Sequence, residues 1–137
     1  MKHEMVCERK GPVIMLRQAQ DVWKATEKYH RCRKEHLLVL TIDGANQIIA
    51  TRLVSMGLAN RTMVHPREVY YKAICDGAVA IVLVHNHPSG VSEPSSEDRD
   101  VTRRVKAAGE LIGIKLLDHV IVSHKGYYSF NEQEGLL

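Results

Sequence analysis

Three cysteines in 137 residues, Cys7, Cys32 and Cys75, are too few and too widely spaced to staple a fold. Their odd number and the lack of a C-x-x-C pair exclude a disulfide framework and a cysteine zinc knuckle, leaving reduced thiols. Long apolar runs are missing too. The longest, Ala78 to Val84, has seven residues, far below the ~20 needed to cross a bilayer, and reads as a buried strand. The N-terminus, Met1-Lys2-His3-Glu4, has no apolar stretch to act as a signal peptide, so the expected location is the cytoplasm, with no membrane partner. Neither charge sign dominates. Nineteen basic against sixteen acidic residues leave +3, too little to imply nucleic acid by itself. Internal repeats and low-complexity segments are absent, and 15.5 kDa accommodates one domain that buries about two thirds of its unfolded surface.

What the chain does have is periodicity. Residues 1 to 17 mix charge with a Gly11-Pro12 turn and read as an N-terminal arm or edge strand around Val13 to Leu16, ahead of a domain over 18 to 137. From Gln18 to about Lys34, Ala19, Val22, Trp23, Thr26 and Tyr29 recur at helical spacing and predict a helix anchored in the core by Trp23. Leu37 to Ile42 and Gln47 to Ser55 flank Asp43-Gly44-Ala45-Asn46 in a hairpin pattern, and a short extended stretch is expected near Arg61 to Val64. Pro66 opens a helix that Gly77 closes, with Val69, Ala73 and Ile74 inward. Ala78 to His85 is the expected central strand. Ser95 to Ile112 reads as a helix burying Val101, Val105, Ala108 and Ile112, with Asp100 and Arg104 paired outside. Lys115 to Ser123 and Tyr127 to Phe130 read as strands around His124-Lys125-Gly126. Strands joined partly by hairpins and partly through helices imply an α/β fold of three α-β-α layers around a mixed β-sheet.

One strand end carries chemistry. His85-Asn86-His87-Pro88 is followed, after six residues, by Ser95 and then Asp98. If His85 and His87 end a strand, alternation puts both imidazoles on one face with Cα atoms roughly 6.5 to 7 Å apart, close enough to converge on one ion. Asp98, in the first turn of the next helix, adds a harder oxygen ligand. The resulting His, His, Asp set suits Zn2+ and leaves one tetrahedral position for water, which points to catalysis. A plainer reading exists for each residue: histidines where a strand surfaces, and Ser95-Ser96-Glu97-Asp98 as a capping box. Two same-face histidines, a chain-reversing Pro-Ser-Gly turn and a facing acid together favour the metal.

The blocks Val64-His65-Pro66-Arg67-Glu68-Val69, His85-Asn86-His87-Pro88-Ser89-Gly90, Pro94-Ser95 with Asp98, Leu117-Asp118-His119 and Ser129-Phe130 resemble the RadC-like branch of the JAMM/MPN (JAB) metalloprotein family. Its signature reads H-x-H-P, six residues, S-x-x-D. The likeness runs from about Asp21 to the C-terminus. It implies a cytidine deaminase-like architecture, a zinc cofactor, and hydrolysis of a peptide, isopeptide or related amide bond in a peptide or protein substrate. It also implies an upstream glutamate as general acid/base. Glu35 occupies that point, just before the first apolar strand, and Glu68 is the second candidate. Ser95 is implied as hydrogen-bond donor to the oxyanion. Asn86 stands where eukaryotic isopeptidases of the family usually have Ser or Thr, which supports the RadC-like branch and argues against ubiquitin-like substrates. His119 reads either as a group behind the ligands or as a structural histidine. RadC-like proteins often carry an N-terminal helix-hairpin-helix region, and Met1 to Gln20 has neither the length nor the glycine pattern for one.

Two other function classes compete. A non-catalytic MPN-type zinc-binding interaction module would keep the ligands without needing Glu35. A role on or near DNA follows from the repair association of RadC-like proteins and from the cluster Lys24, Lys28, Arg31, Arg33 and Lys34, which reads equally as a solvated helix face. The contiguous His85-Asn86-His87 is not the HNH nuclease motif, whose residues are dispersed over a ββα finger. A zinc deaminase is disfavoured because H-x-E and P-C-x-x-C are both missing.

Overall fold

Residues 12 to 57 and 64 to 136 are described by a computed structural model, and they form one mixed sheet with helices on both faces. β1 (His36–Ile42) and β2 (Ile48–Met56) make the expected hairpin. Asp43 Oδ1 closes its turn by accepting from the backbone N–H groups of Ala45 (2.8 Å) and Gln47 (2.9 Å). β3 (Ala80–Asn86) pairs antiparallel with β1, β4 (Lys115–Ser123) runs parallel to β3, and β5 (Gly126–Ser129) returns antiparallel to β4. The order β2-β1-β3-β4-β5 makes β3 central, and all its residues are buried.

Alternate residues of each inner strand enter opposite layers. Leu37, Val39, Ile81, Leu83 and Leu116 pack beneath α2 (Pro66–Cys75) and α3 (Ser96–Ile112). Leu38, Leu40, Val82, Val84, Val120 and Val122 face α1 (Ala19–Ala25). Because both faces are covered, these strands are apolar nearly throughout. Tyr70 is wholly buried between α2 and α3, where its hydroxyl donates to Val105 O at 2.7 Å. The close approach of these helices depends on Gly109, since a Cβ there would overlap the Tyr70 hydroxyl and Ile114 O. α4 (Phe130–Glu134) follows β5 directly, N-capped by Ser129, so Phe130 opens a helix rather than ending the expected strand.

Other expectations are corrected. The helix expected over Gln18 to Lys34 ends at Ala25, because the Thr26 hydroxyl donates to Val22 O at 2.9 Å and the chain tightens into a 3-10 turn over Glu27–Tyr29. Trp23 is half-buried rather than central. Its indole N–H needs an acceptor and finds Ser123 O at 2.9 Å at the rim of the layer. Ile74 and Ile112 are 60% and 46% exposed rather than buried. Ile74 lies one step of about 100° round the helix from buried Ala73 and faces outward with Tyr71. At the end of α3 the left-handed turn at Gly113 (φ 85°) brings Ile114 into the core in place of Ile112.

Met15 forms an antiparallel bridge to Gln47, flanked by a hydrogen bond from Ile48 N–H to Ile14 O. Residues 1 to 11 of the arm, and all but Val64 of the extended stretch expected near Arg61 to Val64, lie outside the described residues.

Candidate metal centre

The site forms where β3 runs out and α3 begins. His85 shares a rung with Leu37 of β1 and Ile121 of β4 and is fully buried. His87 follows two residues later, its backbone N–H still donating to Val122 O at 2.9 Å, so both rings leave the strand on one face. The chain then reverses at Gly90, which adopts φ 87° and donates its N–H to His87 O at 3.0 Å. A side chain here would be strained and would press on His124 and Lys125. His87 Nδ1 lies 2.7 Å from Val91 O, which leaves Nε2 facing His85.

α3 supplies the acid. Ser95 is its N-cap: Ser95 Oγ accepts from Asp98 N–H at 3.1 Å, and Asp98 Oδ2 accepts from Ser95 N–H at 2.9 Å. The capping box anticipated as an alternative duty for Asp98 is therefore present, and it aims the carboxylate at the histidines. His85 Nε2 is 2.9 Å from His87 Nε2 and 3.1 Å from Asp98 Oδ1, and His87 Nε2 is 3.4 Å from Asp98 Oδ2. Zinc bonds of about 2.0 to 2.1 Å at tetrahedral angles set ligand atoms about 3.3 Å apart, so these separations fall within a few tenths of an ångström of what one ion imposes. His85, His87 and Asp98 could hold a metal ion, and among the described residues they form one such group. Burial alone would raise the Asp98 carboxyl. The contacts with the His85 and His87 rings, together with the Ser95 N–H, outweigh it and hold the group well below the usual carboxylate range, ionised and ready to bind a cation.

Behind this cluster, His85 Nδ1 lies 2.8 Å from His119 Nε2, and His119 Nδ1 lies 2.5 Å from Thr102 Oγ1. The Thr102 hydroxyl donates to Asp98 O at 2.7 Å. His119 is thus in contact with the cluster rather than isolated in the core. Thr102 was not anticipated. Its signal is its spacing, four residues after Asp98 on the same helix face.

Glu35 precedes β1. The antiparallel register between β1 and β3 ends at Leu37 opposite His85, and Glu35 lies two residues ahead of Leu37, just outside β1. Its carbonyl accepts from Gly57 N–H at 2.7 Å, and the side chain is partly exposed. Glu68, the second candidate, is exposed in the first turn of α2, lining a cleft with Tyr71, Ile74 and Ile112. Lys24, Lys28, Arg31, Arg33 and Lys34 are all exposed, on α1 and the segment after it, and α1 covers the sheet face opposite α3.

The model of the RadC-like JAB domain family matches residues 16–136. This chain belongs to the RadC-like JAB domain family. Similar proteins include a UPF0758 protein of Pelobacter propionicus, 51% identical over 102 residues that make up 74% of this chain and 44% of that protein. Another from Methanospirillum hungatei is 57% identical over 88 residues, 64% of this chain and 39% of that protein. A third, from Thermotoga maritima, is 41% identical over 112 residues, 82% of this chain and 50% of that protein. This RadC-like JAB chain spans half the length or less of these curated relatives. Its α/β fold with a mixed five-stranded sheet is consistent with a JAB/MPN domain, and no described helix is long and apolar enough to cross a membrane.

Proposed function

We propose that this RadC-like JAB domain is a zinc-dependent hydrolase of the JAMM class, cleaving a peptide, isopeptide or related amide bond in a peptide or protein substrate. The convergence of His85 Nε2, His87 Nε2 and the Asp98 carboxylate at ion-sized separations carries this reading. Two imidazoles and one carboxylate suit zinc, and three protein ligands are the number found in catalytic rather than structural zinc sites. Zinc bound there would supply Lewis-acid activation of water and polarisation of the scissile carbonyl at neutral pH.

The chain's own residues would do the rest. Glu35, two residues ahead of the rung that pairs Leu37 with His85, would take the proton from water and hand it to the leaving amine. Ser95 Oγ accepts from Asp98 N–H, which leaves its O–H able to donate to the oxyanion, a contact worth about 3 kcal/mol of barrier. The free thiols of Cys32 and Cys75 suit a reducing compartment and support a cytoplasmic location.

Metal analysis of the purified protein tests the ligand set. One equivalent of tightly held zinc is expected in the native chain, and its loss in His87→Ala and Asp98→Ala; full retention by both variants would end the claim. Turnover of a panel of peptide and isopeptide substrates then separates hydrolase from interaction module. Glu35→Gln should keep its zinc and lose hydrolysis, whereas a module would show no hydrolysis in the native chain.

A further inference from the structure

We infer that His119 and Thr102 are positioning residues that hold His85 in the one tautomer able to bind a metal, an inference that rests on the metal reading above. His85, His119 and Thr102 form a chain of hydrogen bonds that ends on Asp98 O, with His85 Nε2 3.1 Å from the Asp98 carboxylate, and each of the four residues is 4% exposed or less. Burial leaves bulk solvent little access to a misplaced proton.

His85, ligating through Nε2, carries its proton on Nδ1. That N–H points at His119 Nε2, 2.8 Å away, which must be a bare acceptor. The proton of neutral His119 is then on Nδ1 and is donated to Thr102 Oγ1 at 2.5 Å. Thr102 can accept it because its own proton goes to the backbone carbonyl of Asp98 at 2.7 Å. A second arrangement reverses the bonds of the two imidazoles: Thr102 donates to His119 Nδ1, His119 Nε2–H donates to His85 Nδ1, and His85 Nε2–H donates to Asp98. That arrangement places a proton on the ligating nitrogen. The back-bond from Thr102 to Asp98 O opposes it, because a hydroxyl has one proton to give. One helical turn thus supplies both a ligand, Asp98, and the group that sets the proton on another.

The ring of His119 is held as firmly as its protons. Phe130 stacks on it with centroids 4.9 Å apart and planes 7° from parallel, while His85 touches its other nitrogen-bearing edge. Phe130 is fixed in turn by Asp118, which accepts from Ser129 Oγ at 2.5 Å and from the N–H groups of His119 at 2.7 Å and Asn131 at 2.9 Å. The blocks Leu117-Asp118-His119 and Ser129-Phe130 therefore share one task, orienting the group behind His85.

The test is competitive zinc titration against a chelating indicator on the native chain, Thr102→Val and Thr102→Ser, with nitrogen NMR of the imidazoles in the zinc-loaded native chain. Thr102→Val keeps the shape and removes the hydroxyl, so affinity should fall by about 10- to 100-fold. Thr102→Ser restores the hydroxyl while losing the methyl, and should bind within a few-fold of native. The NMR should find the His119 proton on Nδ1. Native affinity in Thr102→Val, an equal loss in Thr102→Ser, or a proton on His119 Nε2 in the zinc-loaded native chain would each overturn the inference while leaving the ligand set intact. A native chain that takes up no zinc would instead overturn the metal reading and this inference with it.

Discussion

Asn86 Oδ1 accepts the backbone N–H of His36 at 2.6 Å, and the same amide donates through Nδ2 to Lys34 O at 3.0 Å, so one side chain clamps the backbone on both sides of Glu35. Alternation along β3 dictates this. The residue between two same-face histidines must point to the other face, and here it ties down the segment that carries the proposed acid.

Asn86→Ala should therefore cost about 2 to 3 kcal/mol in chemical denaturation, since it leaves a backbone donor and a backbone acceptor without their partner. Zinc content should be unchanged, because neither histidine loses a contact, while hydrolysis should fall with the displacement of Glu35. An unchanged unfolding midpoint would show that the clamp carries no weight.

Asp118 gives a pH prediction of known sign. Burial raises its carboxyl above the ordinary value, against the opposing hydrogen bonds from Ser129, Asn131 and His119. A raised folded value contributes proton-linked stability that is full below the unfolded value of about 4 and is lost as pH rises through the folded value. Asp118→Asn keeps an oxygen for the two backbone donors and should stay within about 1 kcal/mol of native at pH 7. The difference in stability, native minus variant, should grow in favour of the native chain as pH falls through that window. Urea unfolding at several pH values between 4 and 7 checks this, and a difference that moves the other way rules it out.

Gly109→Ala should be destabilising, although Ala is favoured over Gly inside a helix by roughly 0.5 to 1 kcal/mol. The new methyl would overlap the Tyr70 hydroxyl and Ile114 O, an overpacking that costs about 1 to 3 kcal/mol. In Tyr70→Phe the hydroxyl is gone, so the double variant should lose less than the sum of the single ones. Strict additivity in thermal unfolding would place the strain elsewhere.

Zinc at about 100 times its dissociation constant should stabilise the native chain by roughly 2.7 kcal/mol, and chelation should remove this. His87→Ala should show no such response. A native chain whose melting temperature ignores both zinc and chelator would contradict the proposed site.

Much of this architecture is legible in the sequence, for identifiable reasons. β1 and β3 are mainly aliphatic runs, β2 and β4 are strands rich in β-branched and aliphatic residues, and Pro66 and Gly77 bracket α2 by chemistry that works locally. The convergence of His85, His87 and Asp98 is legible because their spacing is local too: two residues along the chain at the end of a strand, then the first turn of a helix. The end of α1 is not, since Ala19, Val22, Thr26 and Tyr29 keep a helical stripe beyond the point where Thr26 bonds back to Val22 O. The place of Glu35 is harder still. It depends on the register between strands whose contact at Asn86 and His36 spans 50 positions, which periodicity does not encode. Thr102 escapes notice because a threonine within a helix looks like packing until the histidine facing it is known.

β3, α3 and β4 are consecutive elements, and with the loop after β3 they carry His85, His87, Asp98, Thr102 and His119. Glu35 arrives from a different hairpin. On the proposed reading, the residues that would hold a cation and the carboxylate that would act on water have separate addresses in the chain. A lineage that discarded the distant carboxylate would then keep a folded domain with its proposed ion site, whereas damage to the continuous stretch would remove both traits at once.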